Sequence, residues 1–112
     1  MLFEPQQPIW LCTQPVDMHK SYDGLMGLIA NHLNADPSSG QCFVFINRRK
    51  THIKIFYFDG SGYCIWCKRL EQGQFNRTAT DDVKKELDWL ALRLLLDGIE
   101  IKKMKRYKRF SR

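Results

Sequence analysis

The sequence is poor in the signals that mark most known chemistries. It has no glycine-rich phosphate loop, no Gly-x-Gly-x-x-Gly nucleotide fingerprint, no nucleophile elbow and no histidine pair at metal-binding spacing. Nucleotide hydrolysis, hydride transfer and serine-type hydrolysis therefore lack their usual machinery. It has no internal repeat and no low-complexity stretch apart from its basic end. The first residues, MLFEPQQPIW, contain no basic region followed by a long apolar run, so no secretory signal is expected. The most apolar helix-like segment, Leu87 to Leu96, falls far short of the ~20 apolar residues of a membrane span and includes Asp88 and Arg93. A cytoplasmic location without a membrane partner is the expectation, and Cys12, Cys42, Cys64 and Cys67 are expected to remain reduced thiols.

What is present is enough for one fold. At 112 residues, 44% hydrophobic and 27% charged, the chain suits a single globular domain with a sizeable core. Charge is unevenly spread. Residues 1–101 carry 11 Lys or Arg against 12 Asp or Glu, whereas residues 102–112, KKMKRYKRFSR, carry seven Lys or Arg and no acid. The net charge of +6 is thus a property of the C-terminal end. This divides the chain into a domain over 1–101 and a basic, flexible tail over 102–112.

The stretch from Cys42 to Phe75 holds most of the aromatic residues and reads as three strands. Val44 and Ile46 fall on one face and Phe43 and Phe45 on the other, the pattern of a strand covered on both sides. The run from Ile53 to Phe58 and the run from Tyr63 to Lys68 alternate as half-polar strands. Asp59-Gly60-Ser61-Gly62 and Arg48-Arg49-Lys50-Thr51 supply the connections. The fold class predicted is α+β, a small antiparallel meander of three to five strands packed with two main helices.

Around this sheet, Ile9 to Thr13 has the composition of a short edge strand. Ser21 to Leu33 repeats Tyr22, Leu25 or Met26, Ile29 and Leu33 at helical spacing behind a Ser21 N-cap. Gly24 and Gly27 in that helix are expected to mark close packing on the sheet. Asn34 to Gly40 is a loop, and Gln74 to Thr80 is a fourth strand or a linker. Thr80 is expected to cap a second helix running to Gly98, with Val83, Leu87, Leu90 and Leu94 as its stripe. Trp89, Ala91, Leu92, Leu95 and Leu96 widen that stripe so far that burial on two sides is expected, by the sheet plus the first helix or by another chain.

Candidate chemistry is thin. Cys64-Ile65-Trp66-Cys67 has CxxC spacing, but residues three apart in a strand face opposite ways and no second pair completes a zinc site. Packing roles are favoured for all four cysteines. His19, His32 and His52 are isolated, which favours surface or capping roles over general-base catalysis. Asp17, Asp23, Asp59 and Glu71 would have to converge in space to make a metal-dependent nuclease centre. The expectation is a protein with no catalytic residues, no metal and no cofactor.

The basic features carry more. Lys102, Lys103, Lys105, Arg106, Lys108 and Arg109 are interleaved with Met104, Tyr107 and Phe110, a mixture suited to phosphate neutralisation and stacking. Arg48, Arg49 and Lys50 in a sheet loop, with Lys54, Lys68 and Arg69 on the strands that follow, form a second positive area. Together these twelve residues are the predicted nucleic-acid contacts. The plainer reading of the tail alone is a solvated segment that adheres to any polyanion.

The order of residues also resembles a known family. Asp17-Met18, Lys20 to Leu25, Asp36-Pro37 with Gly40, FVFINRRK, Ile53-Lys54-Ile55, Phe58-Asp59-Gly60 with Gly62, and Trp66 with Lys68 to Glu71 and Gly73 are similar, in colinear order, to the TnpB or Orf2-like accessory proteins of bacterial insertion-sequence family sixty-six. Gly98-Ile99-Glu100 resembles the family's usual end. His19 replaces a more usual arginine, Cys67 an aromatic, and the Trp-Pro that often follows Gly-x-Phe is absent after Phe75. The resemblance implies an accessory role in transposition beside a separate, larger transposase that holds the catalytic acids. It carries over no catalytic residue. DNA at the element ends, the transposase and a second copy of the chain, docked through the Thr80 to Gly98 helix, are the partners this reading expects.

Overall fold

In the computed structural model, residues 4–77 and 80–98 are described. Five strands form one sheet in the order β4-β3-β2-β1-β5, with β1 Ile9–Cys12, β2 Cys42–Ile46, β3 His52–Phe58, β4 Tyr63–Arg69 and β5 Lys84–Leu87. Helix α1 spans Tyr22–Asn31 and helix α2 Trp89–Leu96. The β2-β3-β4 meander is antiparallel as expected, with Val44 opposite Ile55 and Ile55 opposite Trp66.

The sheet as a whole is mixed, because β1 runs parallel to β2 with Trp10 opposite Phe43. That corrects the purely antiparallel meander, and it also moves β1 from an edge to the interior. The chain reaches β2 from β1 through α1, and such a crossover returns the second strand in parallel. An interior β1 has backbone groups on both sides to satisfy. β2 satisfies one row and β5 the other, with Leu11 opposite Lys85 and Ile9 opposite Leu87.

The expected helix from Thr80 to Gly98 is therefore two elements. Its first half is β5, since Val83 and Leu87, four residues apart, share a face at the strand period as well as the helical one, and pairing with β1 satisfies otherwise orphaned groups. A few tenths of a kcal/mol of helix propensity per residue cannot compete with one unpaired buried backbone group, which costs about 1–3 kcal/mol. Thr13 fixes the junction, its N–H bonding the Val83 carbonyl at 3.1 Å and its hydroxyl the Asp82 carbonyl at 2.5 Å. Asp88, not Thr80, caps the helix, accepting from the Ala91 N–H at 2.7 Å. Gly98 ends it at φ +67, as the sequence suggests, where a Cβ would come within 3.2 Å of the Leu70 side chain.

The two helices cover opposite faces. Phe43, Phe45 and Phe56 pack with Leu25, Ile29 and Leu33 on the α1 face. Val44, Ile46, Ile53 and Ile55 pack with Phe75, Leu92, Leu95 and Leu96 on the other. Every residue of β2 is buried, so the two-sided strand is as its alternation predicts. The near-apolar α2 does not rest on α1. Ser21 occupies the N-cap position of α1 without a side-chain cap bond. Gly24 would crowd Lys20 if given a Cβ, but Gly27 has open space, so its expected close approach to the sheet is absent. Gln74 to Arg77 is a linker rather than a strand, anchored by the fully buried Phe75. The predicted contacts at Lys102, Lys103, Lys105, Arg106, Lys108 and Arg109 lie outside the described residues, as does the 102–112 tail.

Candidate nucleic-acid interface

The turn from β2 to β3 is built around Asn47. Its Oδ1 accepts from the N–H groups of Thr51 at 2.9 Å and His52 at 3.0 Å, while its own N–H donates to the His52 carbonyl at 3.2 Å. Lys50 takes φ +63, a left-handed conformation, and its N–H closes the turn onto the Asn47 carbonyl at 3.1 Å. The linker stitches the turn from outside. Phe75 N–H donates to the Lys50 carbonyl at 2.7 Å and the Gln74 amide to the Arg49 carbonyl at 3.0 Å. Arg77 adds a side-chain brace, its guanidinium donating to the Asn47 carbonyl at 3.1 Å.

Arg48 and Arg49 stand exposed at the tip of this turn, with no carboxylate partner among the described residues. Arg69 lies at the same end of the sheet, opposite His52, and is exposed with Glu71 at 3.9 Å. Such an exposed pair is worth little and leaves the guanidinium available.

The remaining predicted cations on the sheet have other partners. Lys54 donates to the carbonyls of Met18 and Lys20, both at 2.7 Å. Lys68 projects to the opposite face and donates to the Leu96 carbonyl at 2.8 Å, satisfying an end carbonyl of α2 where a cation also favours the helix dipole. Lys50 contributes its backbone to the stitching described above. The structure thus brings Arg48, Arg49 and Arg69 together at one end and assigns Lys54 and Lys68 to holding elements in place.

Arg77 was missed by sequence reasoning, since an isolated arginine in a polar linker carries no pattern. Burial lowers its pKa from the ordinary arginine value, with Cys12 opposing the shift and Arg48 adding to it, and its partners are carbonyls beneath the basic turn.

Cys64 and Cys67 occupy opposite faces of β4, as their spacing in a strand requires. Burial, and then the neighbouring Asp59 carboxylate at 3.6 Å, raise the Cys64 thiol. All four cysteines are free thiols. His19 is 98% exposed and pairs with Asp17 at 2.9 Å, while the His32 N–H caps α1 on the Leu28 carbonyl. Asp59 sits in the β3–β4 turn and Glu71 follows the far end of β4, so these two candidate acids are separated by the length of a strand.

The exit of the described chain lies beside the basic turn. A Cβ at Gly98 would be 3.6 Å from the Gln74 carbonyl, and Gln74 is the residue bonded to Arg49. Gly98, the last described residue, therefore lies at the end of the sheet that carries Arg48 and Arg49.

The family model described as IS66 Orf2 like protein matches residues 7–106. The chain belongs to this family. Membership places it among the proteins of insertion-sequence transposition, in agreement with the resemblance read from FVFINRRK and its flanking motifs. A Sinorhizobium fredii relative, "Uncharacterized protein y4jC", is 35% identical over 98 residues, covering 88% of this chain and 84% of its own. A second from the same organism, "Uncharacterized protein y4hO", is 29% identical over 92 residues, covering 82% and 80%. No solved structure matches the chain. No helix among the described residues is long and apolar enough to cross a membrane.

Proposed function

We propose that the protein is a cytoplasmic accessory factor of transposition that binds DNA at the element ends and has no catalytic step of its own. The observation that supports this most is the exposed Arg48-Arg49 turn with Arg69 at the same end of the sheet, in a chain whose sequence adds seven further cations over 102–112. Phosphate contacts of this kind position a protein on DNA and carry no sequence information by themselves.

The test is titration of terminal-repeat duplex against scrambled duplex across salt, with full-length chain and with a truncation before Lys102. Neutralising four to seven phosphates gives a log–log salt slope of roughly −4 to −6, at about −0.9 per contact, and truncation flattens it. Absence of binding to any DNA at low salt overturns the reading.

A second reading, docking on the transposase or a second copy through α2, rests on Leu90, which is 66% exposed in the first turn of the helix. Most of the helix's leucines are already used in the protein's own core, so this surface is smaller than the sequence suggests. Size-exclusion chromatography with light scattering, with and without transposase, tests it: a monomer that does not co-elute overturns it.

A further inference from the structure

Two hollows adjoin at the basic end on the α1 face. The larger, about 520 Å³, lies between the 15–19 segment and the basic turn, with Val16 and Met18 on one side and Arg48, Arg49 and His52 on the other. The smaller, about 200 Å³, continues past Met18 and His52 to Cys67 and Arg69. Because Met18 and His52 line both, the two form one trough with guanidinium groups at each end and apolar side chains and an imidazole between.

Both walls are fixed before any ligand arrives. Val16 N–H bonds the Ile46 carbonyl at 3.0 Å and Lys54 clamps the Met18 and Lys20 carbonyls, holding the 15–19 side. Asn47 holds the other. Asp17 is the one carboxylate among the lining residues of the larger hollow. Its Oδ1 accepts from the backbone N–H of His19 and pairs with the ring Nδ1, both at 2.9 Å, and the Asp17 side chain stays largely exposed at the rim, where water screens its charge.

From this arrangement we infer that the trough binds single-stranded DNA, with phosphates on Arg48, Arg49 and Arg69 and a base lying against Met18 and the His52 ring. The inference rests on the reading that the protein binds DNA and specifies the form taken at this site. A duplex keeps its bases stacked inside and offers the trough only phosphates, leaving the apolar middle without use. An unpaired strand offers both phosphates and the base faces that stack on imidazole, guanidinium and apolar surfaces. The volume of the larger hollow falls within the roughly 300–1,000 Å³ of pockets that engulf small ligands.

The test uses the full chain, a fluorescent oligothymidine, a duplex of equal length and fixed salt. Single-strand binding about tenfold tighter than duplex is expected, since each stacked base is worth a factor of this order. Met18→Ala lowers single-strand affinity on the order of fivefold through lost apolar contact, with duplex affinity unchanged. Because Met18 is half-buried and its truncation also loosens the 15–19 segment, photocrosslinking of a 5-iodouracil oligonucleotide to the unaltered chain provides the second measurement. Crosslinks at 15–19 or 47–52 are expected. Equal or tighter duplex binding, with crosslinks confined to 102–112, overturns the inference and leaves the broader DNA-binding reading standing. Failure to bind either form overturns both.

Discussion

The ammonium of Lys54 lies 2.7 Å from the carbonyl oxygen of Met18, joining the middle of β3 to a segment 36 residues earlier in the chain. Lys54 is thus a clamp on the wall of the basic trough rather than a cation held out to solvent. Lys54→Met is expected to destabilise the fold by about 1.5–3 kcal/mol, the range for hydrogen bonds to a charged group. Urea denaturation measures this. The salt slope of duplex binding is expected to stay unchanged, whereas Arg48→Ala lowers it by about 0.9 if that residue holds one phosphate.

Asn47 organises the turn without being a phosphate ligand in the proposed interface. Asn47→Ala removes the acceptor for the Thr51 and His52 N–H groups, at an expected cost of about 1–3 kcal/mol. DNA affinity is expected to fall as well, because Arg48 and Arg49 lose their fixed base. Asn47→Asp keeps Oδ1 and should recover most of the stability, since it gives up only the Nδ2 contacts to Thr51 Oγ1 and His52 Nδ1. A melt and a binding titration on each variant separate the two effects.

Proline scanning distinguishes a strand from a helix over 84–87. The Thr13 N–H to Val83 carbonyl bond and the alternation of an antiparallel ladder put the Lys85 N–H toward β1 and the Glu86 N–H toward solvent. Lys85→Pro should therefore cost more than Glu86→Pro, by about 1 kcal/mol or more. Were this segment the interior of a helix, both would cost about 3 kcal/mol. Midpoints in urea decide the matter.

The thiols give a chemical map and a pH effect. Iodoacetamide at neutral pH should label exposed Cys67 first and leave Cys12 and Cys42 unmodified until unfolding. Burial pushes the Cys42 thiol up to about 11 from its ordinary 9.0. The unfolded chain therefore ionises first as pH rises. The stability from keeping this thiol neutral is complete below pH 9.0 and is lost between 9.0 and about 11, at roughly 1.4 kcal/mol per unit. Cys42→Ala should show a shallower alkaline decline than the parent.

The sequence alone determined the central meander, its two-sided β2, the first helix and the family. Each is written in local terms: alternation at Phe43 to Ile46, turn residues at 59–62, helical spacing from Tyr22 to Ile29, and a colinear string of motifs. Tertiary structure decided what depends on partners far along the chain. Val83 to Leu87 satisfies both the helical and the strand period, and the unpaired side of β1, some seventy residues away in the chain, selected the strand. The same holds for charge. Lys54, Lys68, Arg48 and Arg49 are indistinguishable as cations in sequence, and only the proximity of main-chain carbonyls converted the two lysines into clamps. Short-range periodicity fixes which faces are apolar, whereas backbone groups and charges are assigned their roles by whichever partners the fold brings within hydrogen-bonding distance.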